Sequence, residues 1–209
     1  MNYKFITFEG GEGTGKSSLI RRLSEELSKM EIPHIKTFEP GGTPLANVIR
    51  EVFKHPKVDL KKEPIEPLTE LFLLSAARVQ HVQQKILPAL KEGKIVLCDR
   101  FYDSTRVYQG ILSGNTIIEL EDIIKMSVND LEPSITFLID CPAEISCSRI
   151  KNRGQLDSDR FDEGDIKYHE KIRQGYLKVA SRFPNRFIVL DGTCSVEQLV
   201  GRVIKILFK

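Results

Sequence analysis

Eight residues constrain this chain more than any others. Gly10-Gly11-Glu12-Gly13-Thr14-Gly15-Lys16-Ser17 follow an apolar run, Phe5-Ile6-Thr7-Phe8, and lead into a segment, Ser17 to Leu27, whose apolar residues recur at helical spacing. A turn of the form G-x-x-x-x-G-K-[ST] between a strand and a helix is a phosphate-binding loop. Its glycines let successive N–H groups turn inward, and the helix N-terminus adds partial positive charge. Residues Gly10 to Ser18 are therefore candidate phosphate contacts, with Lys16 expected at the β/γ-phosphates and the Ser17 hydroxyl on Mg²⁺. Glu12 is unusual inside such a loop. A triphosphate repels a carboxylate, so Glu12 is expected to point toward a second ligand carrying hydroxyl donors. That favours a two-substrate transferase over a hydrolase.

The remainder of the chain alternates in the same way. Strand-like runs lie at Phe5–Phe8, His34–Phe38, Ile95–Cys98, Ile135–Ile139 and Phe187–Leu190. Helical patterns cover Pro67–Glu92, Glu119–Val128, Ala143–Lys151, Ile166–Ser181 and Val196–Phe208. Such alternation predicts an α/β fold with a five-stranded parallel sheet and helices on both faces. Ligands in such sheets gather beyond the carboxyl ends of the strands, where the phosphate loop already lies. With no repeat, low-complexity tract or linker, residues 1–209 are expected to form a single domain. Two irregular stretches stand out. Glu39-Pro40-Gly41-Gly42-Thr43-Pro44 allows a backbone bend near a ligand, and the polar segment at roughly 150–163 suits a mobile lid.

Composition excludes several classes. Lys and Arg total 31 against 29 Asp and Glu, a net +2 that gives no basis for nucleic-acid binding. No apolar run approaches the roughly 20 residues that span a bilayer. The first strand begins directly after Met1-Asn2-Tyr3-Lys4, so no signal peptide is expected. Cys98, Cys141, Cys147 and Cys194 lack C-x-x-C spacing, so reduced, structural thiols are expected rather than a zinc site. These readings together predict a cytoplasmic enzyme.

A second motif narrows the class. Lys94-Ile95-Val96-Leu97-Cys98-Asp99 is an apolar strand ending in the carboxylate expected on the Mg²⁺ side of a phosphate-loop enzyme. Arg100-Phe101-Tyr102-Asp103-Ser104-Thr105-Arg106-Val107-Tyr108-Gln109 follow directly. An anion-binding arginine, hydroxyls, a ring and an amide at one strand tip are what seating a nucleoside monophosphate requires. The stretch Leu97 to Gly110 resembles the signature of the thymidylate kinase family. Glu39-Pro40-Gly41-Gly42-Thr43 is similar to a loop of its bacterial members. Glu70 with Ala76-Ala77-Arg78-Val79-Gln80-His81-Val82 resembles the helix lining the thymine pocket.

The resemblance implies the phosphate-loop NTPase fold with a lid, and transfer of the γ-phosphoryl of ATP to dTMP with Mg²⁺, in a homodimer. On that basis Gly10 to Ser18 bind ATP, while Ser17 and Asp99 serve the metal, the latter directly or through water. Arg100 and Arg50 match contacts to the acceptor phosphate, with Glu39 and Ser104 nearby, and Glu12 matches a carboxylate on the deoxyribose 3′-OH. Arg78 matches the arginine at the thymine O4 edge, with Thr105 and Gln109 near the base. Tyr108 matches the ring that crowds the 2′ position. Catalytic charge would come from Lys16, Arg100 and lid arginines, for which Arg149, Arg153 and Arg160 are the candidates. The sequence departs from the family at two points. Leu74 stands where an aromatic ring often stacks on the base, with Phe72 two residues earlier; Phe38 stands where arginine usually precedes Glu39-Pro40.

A phosphate acceptor is already ionised near neutral pH, so no general base is needed, and transfer reduces to alignment and charge neutralisation. That agrees with the scattered His34, His55, His81 and His169, read here as surface or structural. Two alternatives remain open on sequence: another nucleoside monophosphate or deoxynucleoside kinase, and a GTP-binding switch. The switch lacks support because no Asn-Lys pair occurs for an N-K-x-D motif.

Overall fold

A computed structural model describes residues 4–54, 59, 62–113, 120–153 and 164–208, with residues 54 and 153 described by backbone alone. Five strands form one parallel sheet: β1 (Phe5–Glu9), β2 (His34–Phe38), β3 (Ile95–Asp99), β4 (Ile135–Asp140) and β5 (Phe187–Asp191). Their order is β2-β3-β1-β4-β5, so β1 lies at the centre, paired with β3 and β4. The chain leaves β1 for one side of the sheet and later crosses to the other. Loops at the carboxyl end of β1 therefore flank the crevice that such a reversal opens.

Period-two alternation sorts the strand residues between two cores. Ile6, Phe8, Ile95, Leu97, Ile135, Phe137 and Ile139 turn toward helices α1 (Lys16–Lys29) and α9 (Val196–Leu207), meeting Leu19, Leu23, Leu27, Leu199 and Val203. Phe5, Val96 and Cys98 turn to the opposite face, against Val82, Ile86, Phe101 and Tyr102. Thr7 and Thr136 share this second face and satisfy each other, hydroxyl to hydroxyl at 2.7 Å. Glu9, two residues beyond Thr7, falls on it as well. The cysteines are free thiols, Cys98, Cys141 and Cys147 buried and Cys194 partly so.

Three strands, β1, β4 and β5, run one residue beyond their predicted apolar runs into a carboxylate, Glu9, Asp140 and Asp191, because the ladder continues where hydrophobicity stops, and β3 ends in Asp99 as its motif predicts. The helix predicted over Pro67–Glu92 is observed as α3 (Pro67–His81), a π-helical turn (Val82–Ile86) and α4 (Leu87–Lys91). Pro88 accounts for the wide turn, since a proline ring collides with the carbonyl four residues back in a regular helix. A helix not singled out from sequence, α2 (Pro44–Lys54), packs on α3. Beyond β3, α5 (Tyr102–Thr105) passes into a second π-helical stretch, Arg106–Leu112. The remaining helices are α6 (Leu120–Val128), α7 (Ala143–Arg153) and α8 (Ile166–Arg182). The predicted lid is described only as far as the end of α7. Residues 154–163, with Arg160, lie outside the described residues, as does His55.

A buried ion network fixes the segment after β3. Asp103 is wholly enclosed and accepts from Arg106 at 2.8 Å and from Arg186 at 2.7 and 2.9 Å. Arg186 also reaches Thr136 at 2.6 Å and stacks against Phe187 with its guanidinium carbon 4.7 Å from the ring centre. This ties α5 to β4 and β5. Asp103→Ala leaves two arginines without their shared anion, and a urea-unfolding titration is expected to show a loss of about 3–5 kcal/mol.

Candidate active site

The phosphate loop connects β1 to α1, and its shape depends on glycine. Gly13 has a φ of 71°, and a Cβ there would come within 2.3 Å of the Ser146 carbonyl oxygen. Gly10, at φ 140°, would bring a Cβ 2.7 Å from the Ile139 carbonyl oxygen. Lys16 folds back over the loop. Its Nζ donates to the carbonyls of Gly10 (2.9 Å) and Gly11 (2.7 Å) and lies 3.5 Å from Thr14 Oγ1. Burial lowers its pKa to about 8, with the nearby Arg100 cation acting in the same direction. Ser17 donates to Asp99 Oδ2 at 2.8 Å, so the two candidate metal-side residues are in contact across the tips of β1 and β3. Ser18 is partly buried on the first turn of α1.

Arg100 stands at the tip of β3 with a φ of 65°, a left-handed conformation that turns its side chain back over the phosphate loop. Its guanidinium donates to Glu12 (2.6 Å), Tyr176 (2.5 Å) and Ser104 (3.2 Å). Tyr108 also donates to both Glu12 oxygens, at 3.0 and 2.8 Å, and Arg100 lies 5.6 Å from its ring centre. Glu12 thus reaches out of the loop to the segment that follows β3. Ser104 lies beside Arg100, whereas Thr105 belongs to a second cluster.

That cluster is built on Arg78. Its Nε donates to Glu39 Oε2 and its NH2 to Thr105 Oγ1, each at 2.8 Å. His81, on the same face of α3 at i+3, lies 3.1 Å from the other Glu39 oxygen through Nδ1 and 2.5 Å from Thr37 Oγ1 through Nε2. Arg78 beside it is the main influence that holds the Glu39 carboxyl low against its burial. One Glu39 oxygen therefore fixes Arg78 while the other is held by His81. The remaining nitrogen, Arg78 NH1, is buried with no hydrogen-bond partner among the described residues. Gln109 donates to Glu70 at 2.6 Å. Leu74 is buried on α3 while Phe72 is 54% exposed. At the departure noted at Phe38, Arg50 lies 5.0 Å over the ring and donates to the Pro40 carbonyl at 2.8 Å.

Of the lid candidates, Arg149 on α7 reaches the loops at the sheet edge, donating to Gly192 O at 2.9 Å and lying 3.5 Å from Thr14 O. Arg153 ends α7. His81, Glu9, Tyr176 and the Arg173–Asp140 pair (2.6 and 3.0 Å) were not singled out from sequence. The three-residue interval between Arg78 and His81 was the available signal for His81. For Glu9 it was the alternation Phe5-Thr7-Glu9.

Comparison with known proteins gives the family to which the chain belongs. A family model described as thymidylate kinase matches residues 8–203. The chain is 43% identical over 198 residues to a thymidylate kinase of Geobacter sp. (strain M21), covering 93% of this chain and 86% of that protein. It belongs to the thymidylate kinase family. A Bartonella henselae member is 42% identical over 208 residues, covering 97% of this chain and 94% of the relative. The crystal structure of the Ehrlichia chaffeensis thymidylate kinase superposes with a TM-score of 0.75 at 30% identity, over 98% of each chain. Among the described residues, no helix is long and apolar enough to cross a membrane.

For a member of this family, the folded-back Lys16 separates stability from turnover. Its amine is harder to protonate in the folded chain than in the unfolded one, so the charge costs folding energy below pH 8 and that cost is relieved as pH rises toward the unfolded value. Lys16→Met is expected to keep or raise the thermal midpoint at pH 7 while kcat falls at least ~100-fold, measured by calorimetry and ADP release.

Proposed function

We propose that this thymidylate kinase family member transfers the γ-phosphoryl of ATP to dTMP, giving dTDP and ADP for dTTP synthesis, with the following division of labour. Gly10 to Ser18 cradle the ATP phosphates. Arg100 and Arg50 anchor the acceptor phosphate beside Ser104, Glu12 and Tyr108 read the sugar, and Arg78, Thr105, Gln109 and Leu74 face the base. Glu39 acts through Arg78. Phe72, which is exposed on α3, is assigned instead to a subunit contact.

The observation that carries this reading is the state of Arg78. Glu39 and Thr105 fix a buried guanidinium and leave NH1 unpaired. An unpaired buried donor is costly, and a carbonyl oxygen on the ligand would satisfy it. Thymine offers such an oxygen at position 4; cytosine offers an amino group there. In wild type, dTMP is expected to exceed dCMP in kcat/KM by roughly 10⁴-fold, the scale for a site built around one hydrogen-bonding group. Arg78→Gln is expected to cut kcat/KM for dTMP by about 10²-fold or more and to shrink that preference. A coupled ADP-release assay with dTMP, dUMP, dCMP and thymidine measures it. Equal rates for dTMP and dCMP in wild type would sink the assignment.

Ser17 and Asp99 together suit Mg²⁺. They contribute a hydroxyl and a carboxylate, hard oxygen donors, and the described residues contain no cluster of three or more His, Cys, Asp or Glu side chains that could hold a metal alone. That donor set fits an ion which also binds substrate phosphates and water. When bound, it would neutralise charge on the β/γ oxygens. The chain's own part is alignment: Lys16 on the transferring group, Arg100 on the acceptor, and Arg149 from α7 with Arg153 and Arg160 from a lid over approximately 150–163. Water exclusion by that lid limits ATP hydrolysis. We assign the protein to the cytoplasm, as one domain.

A homodimer is supported by one apolar face. Leu45, Val48 and Val52 on α2 and Leu68, Phe72 and Val79 on α3 are each 44–60% exposed although the two helices pack together. Phe72→Glu is expected to shift the mass measured by light scattering from two chains to one.

A further inference from the structure

Glu9 ends β1 on the inner face occupied by Phe5 and Thr7 and has no exposed surface. Its carboxylate accepts the Phe101 N–H at 2.8 Å and the Ser104 hydroxyl at 2.7 Å, and neither partner is a cation. With its only hydrogen given to Glu9, Ser104 meets the Tyr176 hydroxyl, 2.7 Å away, as an acceptor. Tyr176 oxygen in turn accepts from Arg100. The donors therefore run one way, from Arg100 through Tyr176 and Ser104 to Glu9. Arg100 also donates to Ser104 directly at 3.2 Å, so one hydroxyl by the short route, or two through Tyr176, separate a buried acid from the arginine assigned to the acceptor phosphate.

The groups facing Glu9 are Asp103 from α5, Arg100 from the tip of β3, Lys16 from α1, the Cys98 thiol and the Tyr176 hydroxyl. Burial, and then the Asp103 anion, push the Glu9 carboxyl up to about 7, against the opposing influences of Ser104, Arg100 and Phe101. A phosphate dianion on Arg100 offsets that cation and raises the proton affinity of Glu9 further. Once protonated, Glu9 can donate to Ser104, and Ser104 to Tyr176. The Tyr176 hydrogen is then displaced toward the phosphate.

We propose that Glu9 takes up a proton when the acceptor monophosphate binds, reversing the Ser104–Tyr176 hydroxyl chain so that Tyr176 becomes a donor to that phosphate. The inference rests on the assignment of Arg100 as phosphate anchor. Glu9 touches neither substrate and is a positioning residue. The proton comes from solvent, and no covalent bond of the substrate changes. By linkage, acceptor binding tightens as pH falls from 8 toward 7.

Calorimetric titration of the full chain with dTMP at pH 7.5, in buffers of different ionisation enthalpy, reads the proton directly. Wild type is expected to take up roughly half a proton per dTMP, as for a group whose pKa moves from just below to just above the working pH. Glu9→Gln keeps an acceptor for Phe101 and places a permanent donor on Ser104, so it is expected to bind dTMP with no proton uptake and a pH-independent affinity. Tyr176→Phe, which breaks the chain without altering Glu9, is expected to weaken dTMP binding and reduce the uptake. Binding to wild type without buffer-dependent heat overturns the proposal and leaves the kinase assignment standing, as does equal uptake by wild type and Glu9→Gln. Should Glu9→Gln fail to fold, uptake that Tyr176→Phe leaves unchanged overturns it. No heat with dTMP at all overturns both readings.

Discussion

The ion pair between Arg100 and Glu12 joins the two halves of the site. Glu12 belongs to the phosphate loop at the centre of the sheet, and Arg100 belongs to the neighbouring strand tip. Their 2.6 Å contact, with Tyr108 and Tyr176 on either side, makes the position of one loop depend on the other. An isolated exposed pair of this kind would contribute little. Here both side chains are mostly enclosed, and the left-handed backbone at residue 100 leaves the guanidinium few alternatives. A ligand arriving at Arg100 must therefore share it with Glu12 or displace Glu12, and either event is felt in the loop that carries Glu12.

Arg78 shows a different use of the same side chain. Its positive charge is already compensated by Glu39, which His81 braces from the other oxygen. What remains is direction: one NH₂ group aimed from a fixed plane. Arg100 offers charge that can be redistributed, whereas Arg78 offers a hydrogen bond of set geometry. The first suits an anion and the second an uncharged carbonyl.

The sheet, its helices and the phosphate loop were legible because each follows a strong local rule, alternation of elements or glycine placement. Gln109, Arg78 and Arg100 could be singled out by motif. What the sequence concealed lies at the strand ends. Glu9, Asp140 and Asp191 look like the polar residues that close a strand, yet each continues its ladder. The partners of the first two, Ser104 and Arg173, come from segments whose proximity only the fold creates, while Thr193 lies two residues beyond Asp191. Helix α2 carries a legible pattern that was passed over: Leu45, Val48 and Val52 recur at helical spacing although they remain largely exposed, and Ala46 and Phe53 on the same helix are buried. The π-helical turn after α3 depends on the space required by Pro88, which a periodicity count does not register.

Lys16 carries a consequence for how the loop can be observed. Its amine is held by the Gly10 and Gly11 carbonyls and, with a pKa of about 8, is uncharged far more often near neutral pH than an ordinary lysine. An amine-directed acylating reagent would find it intrinsically reactive but sterically screened. Labelling at this residue would then proceed at the rate at which the loop releases it, making a single covalent modification a clock for the opening of the Lys16 contacts with Gly10 and Gly11.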